Sequence, residues 1–425
     1  MKTVYKKRIL PGGLRVIAHN MPDRESLALG VWIKVGGRDE AAKNKGIAHF
    51  LEHLVFKGTR KYSCRKIKES IEGVGGSLNG FTSEEVTCYL VKIPARFQDL
   101  ALDVLSDMVK SPALPEREIV KEKTVILEEI KMYKDQPHSY VYELLDELLW
   151  PNQPIGWPVI GTHESVSRIG RRELLAFKQE FYTPKNIVIS AAGSLDFDRL
   201  AKQSARAFSH KKEQASKAFD CAKESQGLPK LKIFHKDTEQ THLALGFHSF
   251  KRDDPLRHAL GMLHIILGAN MSSRLFNSLR EKRGLAYEIG TQVKRFSDTG
   301  AFMVHAGIDN RRILETIKLI LNELAKTKDK SVSSDEFKRA KEFYLGQMML
   351  ALEDTLEHML WIGEYTATLD KTYTLEDLIK EVNRVTKQDI REAASRIFRE
   401  NKINLALIGP VKKLEKHIFN QLKIN

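Results

Sequence analysis

His49, Glu52 and His53 sit within five consecutive residues, His49-Phe50-Leu51-Glu52-His53. On a helix with 3.6 residues per turn, positions i and i+4 share a face, so the two imidazoles point the same way and can grip one cation. Glu52 lies beside that pair. Imidazole nitrogen is a common zinc ligand, and a carboxylate next to the ion can take a proton from an activated water. The pattern H-x-x-E-H is the inverted form of the H-E-x-x-H zinc signature. Its neighbours Ile47, Ala48, Phe50, Leu51, Leu54 and Val55 are apolar on nearly every side, which predicts a buried helix. Burying two histidines and a glutamate without metal or partners would cost several kcal/mol. Metal-dependent hydrolysis is the chemistry these residues imply.

A catalytic zinc takes three protein ligands and leaves a fourth position for water. The third ligand is expected on another rigid element. Pro115-Glu116 opens a long helix in which Ile119, Ile126 and Ile130 mark the inward stripe, and Glu122 and Glu129 lie seven residues apart on nearly one face. Two carboxylates in line are unfavourable in a core unless a cation or a donor joins them. Glu129 is therefore expected to be the third ligand, with Glu122 orienting a histidine or the ligand itself. Glu128 is expected in solvent.

The chain also carries an internal repeat. Leu27-Ala28-Leu29-Gly30 recurs as Leu243-Ala244-Leu245-Gly246, and Ile187–Gly193 has a counterpart in Ile403–Gly409, both at an offset of 216. Strands at Arg15–Ala18, Leu27–Val35 and Val86–Ile93, followed by helices at Phe97–Lys110 and after Pro115, predict an α+β fold in which an antiparallel sheet is covered by helices, written twice. The expected organisation is a first half over residues 1–208, a linker over 209–229, and a second half over 230–425. Ser333 with Glu336 predicts a capping box on the second long helix. At the repeat offset, Ile265 and Ala269 replace His49 and His53, and the second long helix reads Ala340 to Gln347 with no ligand set. One metal site per chain follows.

At 425 residues the chain is long enough for two cores. Cys64, Cys88 and Cys221 are widely spaced, without a C-x-x-C pair, which fits a reducing compartment. Met1–Arg8 leads to Leu10 without an apolar signal region, and no run of 18 apolar residues occurs. The expectation is a cytoplasmic protein with no membrane partner. The net charge of +14 is dispersed among acids, and the densest cluster, Lys57–Lys68, matches no nucleic-acid signature. No nucleic-acid partner is expected.

With H-x-x-E-H, a glutamate 76 positions after the second histidine, and a duplicated α+β unit, the chain resembles the pitrilysin/insulinase zinc metallopeptidases over essentially its whole length. Its size resembles the two-domain branch of mitochondrial processing peptidase, beta-subunit-like, and the bacterial processing proteases. Asn79-Gly80-Phe81-Thr82-Ser83 looks like the family strand that lies along bound peptide, with Gly80 where alanine is usual, and Leu279–Tyr287 looks like the second-domain Arg/Tyr motif. The resemblance implies that His49, His53 and Glu129 bind Zn2+ and that Glu52 is the general base. It further implies that Tyr287 donates to the developing oxyanion, that Arg280 holds a substrate carbonyl, and that Asn79, Gly80 and Phe81 bind substrate by β-augmentation. The implied partners are peptide substrates and a second copy, in a homodimer whose Arg/Tyr motifs face the partner's zinc. Two alternatives of other classes are a non-catalytic assembly subunit and a nucleic-acid-binding protein using the basic surface.

Overall fold

The computed structural model describes residues 3–208 and 219–424. The first sheet is built from β1 (Tyr5–Ile9), β2 (Arg15–Asn20), β3 (Ser26–Ile33), β4 (Ser77–Thr82), β5 (Thr87–Pro94) and β6 (Ile187–Gly193), in the order β1-β2-β6-β3-β5-β4. Only the β2–β6 pairing is parallel. The helices that precede β7 in the chain are α1 (Ile47–Val55), α2 (Cys64–Glu72), α3 (Gln98–Lys110), α4 (Glu116–Asp135), α5 (Pro137–Leu149), α6 (His163–Arg168), α7 (Arg171–Phe181) and α8 (Phe197–Ala207). The second sheet uses β7 (Lys230–Phe234), β8 (Gln240–Ser249), β9 (Ala286–Arg295), β10 (Gly300–Asp309) and β11 (Asn404–Ile408), in the order β7-β11-β8-β10-β9. That order repeats β2-β6-β3-β5-β4, with β7–β11 as its one parallel pair. The helices after β7 in the chain are α9 (Arg257–Leu267), α10 (Ile313–Asp329), α11 (Ser334–Glu353), α12 (Thr355–Leu369), α13 (Leu375–Arg384), α14 (Lys387–Ile397) and α15 (Glu415–Asn420). The α+β class read from the sequence is the observed one.

Each sheet has helices on both faces, which is why its central strands are buried throughout instead of alternating with solvent. In β3, Leu27, Leu29, Val31 and Ile33 face the layer holding α1, α3 and α7, while Ala28 and Trp32 face Met359 and Ile362 of α12. In the second sheet, Ala244, Met303 and Ala406 face Val141, Leu144 and Leu145 of α5. The repeated Leu-Ala-Leu-Gly has one physical meaning in both copies. A Cβ on Gly30 would stand 2.6 Å from Met359 Sδ, and one on Gly246 would stand 2.9 Å from the Leu145 methyls. Gly246→Val is thus expected to destabilise its sheet by about 1–3 kcal/mol through overpacking, read as a lowered thermal midpoint. An unchanged midpoint would show that α5 yields freely.

Packing divides the chain differently from its order in sequence. One compact unit comprises residues 1–131, 157–220 and 349–378, and the other residues 132–156, 221–348 and 379–425. Helix α5 therefore belongs with the second sheet, and α12 with the first. Of the expected linker, residues 209–218 lie outside the described residues. From Cys221 onward it is tied down: Ala222 N–H donates to Asp298 at 2.8 Å, Lys223 N–H to Gln153 at 2.7 Å, and the Gln226 amide to the Ile403 carbonyl at 2.9 Å.

The 216-residue offset does not hold throughout. Gly30 pairs with Ser190, whereas Gly246 pairs with Asn404, a slip of two residues. An even slip keeps every side chain on its face, so the core tolerates it. Ile265 lies on α9, but Ala269 falls past the end of that helix at Gly268, because α9 follows β8 more closely than α1 follows β3. The capping box on α11 is present, with Ser333 N–H donating to Glu336 and Glu336 N–H to the Ser333 hydroxyl, both at 3.2 Å.

Candidate active site

Helix α1 is buried through Ile47, Ala48, Phe50, Leu51, Leu54 and Val55, as its composition requires. Its N-terminus is held by Glu40, whose carboxylate accepts from the Gly46 and Ala48 amides at 2.7 and 2.9 Å. A carboxylate there satisfies orphan N–H groups and meets the positive end of the helix dipole. Complete burial nevertheless pushes the Glu40 carboxyl up to about 8. Glu40 was not legible beforehand, because no spacing links it to the histidine motif.

Among the described residues, His49, His53 and Glu129 form the one group of three metal-competent side chains, with one donor atom from each lying within 4.8 Å of the others. The imidazole rings of His49 and His53 are 4.6 Å apart, and His53 Nε2 is 3.7 Å from Glu129 Oε2, a gap that a tetrahedral ion could bridge. His53 Nδ1 lies 3.1 Å from Glu122 Oε2, and that carboxylate also receives Lys57 Nζ at 2.7 Å. With Nδ1–H donating to Glu122, the Nε2 lone pair is left facing Glu129, the arrangement a metal-ligating histidine uses. Burial, reinforced by His53, lowers His49 to about 3, so this ring is neutral at physiological pH, as a ligand must be. His49 also keeps a buried Nδ1 without a hydrogen-bond partner. Two neutral-capable imidazoles, a carboxylate and an unmet polar atom fit a divalent zinc ion.

Glu52 is buried beside this group and accepts from the Thr82 hydroxyl at 2.7 Å. Desolvation raises its carboxyl above the ordinary range, and the Thr82 bond and the His53 charge pull the other way. A base moved upward toward neutrality is better matched to proton transfer at physiological pH. Thr82 was quoted within the strand motif but not selected. Its signal was period 2: on β4, Gly80 and Thr82 share the face toward α1, while Asn79 and Phe81 share the other. Gly80 is close-packed, since an added Cβ would lie 3.0 Å from the Phe56 ring. Asn79 and Phe81 are exposed, and β4 ends the sheet. Glu128 is exposed and pairs with Lys131, as expected.

Arg280 and Tyr287 are brought together in the second unit. Arg280 lies in a π-helical turn, Phe276–Glu281, and its guanidinium lies 4.9 Å from the Phe276 ring and 5.3 Å from the Tyr287 ring. Both line a cavity of about 720 Å³ with Gln240, Asp309 and Arg311, and Tyr287 is 76% exposed. The Tyr287 hydroxyl is therefore open to the cavity and to solvent. No helix among the described residues is long and apolar enough to cross a membrane.

Residues 15–163 match the family model described as Insulinase (Peptidase family M16), and residues 168–344 match that of the Peptidase M16 inactive domain. The chain is similar to the Bacillus subtilis zinc protease YmxG, with 37% identity over 96% of this chain and 98% of that one. It is also similar to a zinc protease of Streptomyces coelicolor, with 34% identity over 96% and 90% of the two chains. Among solved structures, a protease from Helicobacter pylori superposes with a TM-score of 0.89 at 22% identity, over 96% of this chain and all of that one. The match to the inactive-domain model begins late in the first unit and runs through most of the second, and none of His49, His53 and Glu129 lies within it.

Proposed function

This chain belongs to the M16 (insulinase) peptidase family, and from that premise we propose that it is a zinc-dependent endopeptidase acting on peptides or unfolded segments, with one ion per chain. The observation that carries this reading is the convergence of His49, His53 and Glu129 beside a buried Glu52. When bound, zinc supplies Lewis acidity, which polarises a peptide carbonyl and makes water nucleophilic at neutral pH. Glu52 accepts the proton of the attacking water and returns it to the departing amide nitrogen, while Thr82 fixes the carboxylate's orientation. Glu122 holds the His53 ring. The free edge of β4 pairs with extended substrate backbone through Asn79, Gly80 and Phe81, which makes affinity depend little on side-chain identity.

Arg280 and Tyr287 supply the donors, a guanidinium to a substrate carbonyl and a phenol to the developing oxyanion. They act in a homodimer, each pair serving the partner's metal, in an enzyme of the processing-peptidase-like branch that works in the cytoplasm. Elemental analysis of purified, unchelated protein tests the premise, with about one zinc per chain expected. Chelation should abolish peptide cleavage and added zinc should restore it. Protein that neither contains nor takes up metal would end the proposal. Glu122→Ala is expected to weaken zinc about 10–100-fold in a competition titration against a chromogenic chelator. Unchanged affinity would remove Glu122 from the site.

A further inference from the structure

The strand that carries Tyr287 is irregular at that residue. Pairing between β9 and β10 runs without a break from Arg295 opposite Gly300 to Glu288 opposite Gly307, and the next pair is Ala286 with Ile308. Tyr287 is therefore the extra residue of a β-bulge. A bulge leaves its extra residue outside the ladder and bends the strand, so the aim of the Tyr287 side chain depends on what holds the backbone at either side. On the N-terminal side, the Leu285 amide donates to the Leu279 carbonyl at 2.8 Å. On the C-terminal side, the first residue back in register is Glu288.

Residues directly opposite one another across strands share a face. His242, Gly307 and Glu288 form one row across β8, β10 and β9, and Ala244, His305 and Gly290 form the next, on the face that α5 covers. Each row contains a glycine, so no side chain stands between Glu288 and the two imidazoles. A Cβ on Gly290 would lie 2.7 Å from His305 Cε1, which shows that this ring leans over the glycine toward β9. His305 Nε2 comes to 3.7 Å from Glu288 Oε1. From α5, Tyr142 and His138 place their rings 6.0 Å from His305 and 6.3 Å from His242. Lys294, the next cation along that face of β9, is taken by Asp146 at 2.6 Å. Burial holds His305 below the ordinary histidine range, and burial and then His138 do the same for His242, each against the pull of Glu288. His305 Nδ1 is buried without a partner, so the proton of the neutral ring is best placed on Nε2, facing the carboxylate. We infer that Glu288 is a positioning residue: drawn toward His305 over the two glycines, it fixes the in-register end of the bulge and thereby aims the Tyr287 phenol. This rests on the role proposed above for Tyr287 in peptide hydrolysis.

Steady-state cleavage of a fluorogenic peptide by the full-length protein tests this, with zinc content and thermal midpoint measured on every variant. The Glu288 side chain is 67% exposed, so Glu288→Ala opens no cavity and should leave both of those unchanged. It should lower kcat about tenfold with KM within about twofold, because a misaimed oxyanion donor is missed only in the transition state. In a Tyr287→Phe background the same substitution should change the residual kcat by less than about twofold, since an effect exerted through a hydroxyl disappears with that hydroxyl. A raised KM at unchanged kcat, or a full further loss in the Tyr287→Phe background, would overturn the assignment. Full activity of Glu288→Ala beside a defective Tyr287→Phe would overturn it while leaving the role of Tyr287 intact. Full activity of Tyr287→Phe by itself would remove that role, and this inference with it.

Discussion

Glu52→Gln is expected to cut peptide hydrolysis by about 10²–10⁴-fold, the usual contribution of a general base, while leaving zinc content unchanged. Glutamine keeps the shape of the buried side chain and an oxygen for the Thr82 hydroxyl, so the pocket has no reason to collapse. It cannot accept a proton at neutral pH. His49, His53 and Glu129 are untouched, so metal analysis should match the wild-type protein. Activity and metal content are thereby separated: losing both would mark Glu52 as structural, and retaining full activity would remove it from the chemistry.

Mixing inactive Glu52→Gln and Tyr287→Phe proteins in equal amounts is expected to restore about a quarter of wild-type activity once subunits have exchanged, by the statistics of a symmetric dimer. Half of the re-formed dimers carry one chain of each kind. In these, the intact Glu52 of one chain meets the intact Tyr287 of the other, and the second site is doubly defective. Tyr287 is open to solvent and beside Arg280, so Tyr287→Phe removes one hydroxyl without disturbing a core. No recovery, under conditions where tagged subunits demonstrably exchange, would show that each chain builds its site alone.

The candidate metal ligands were legible because their positions obey a local rule. His49 and His53 are separated by one helical turn, and Glu129 was found because the stripe of Ile119, Ile126 and Ile130 fixes which way its helix faces. Glu122 followed from the same stripe, and it lies 3.1 Å from His53 Nδ1. Arg280 and Tyr287 carry no such rule. A helix-end arginine and a tyrosine would pass for ordinary surface and core residues, and only the family resemblance selected them. Glu40 had no selecting signal, and Thr82 had only the period-2 pattern of its strand. One caps a helix six residues downstream through a loop, and the other reaches Glu52 across a strand–helix contact.

The repeat shows the same division. Two matching stretches announced the duplication, and the Leu-Ala-Leu-Gly motif predicted a strand twice. Why glycine ends it became visible only with Met359 and Leu145 packed above Gly30 and Gly246. Chain order likewise did not reveal that α5 packs with the second sheet and α12 with the first, because hydrophobic periodicity states that a face must be covered without stating by what. Spacing along the chain therefore determined the chemistry of the ligand set, its helices and the doubled fold, all of which depend on separations of a few residues or on direct repetition. Tertiary packing alone decided the capping of α1, the partner of Glu52 and the pairing register of the second sheet. Those depend on contacts between distant segments, and no local periodicity encodes them.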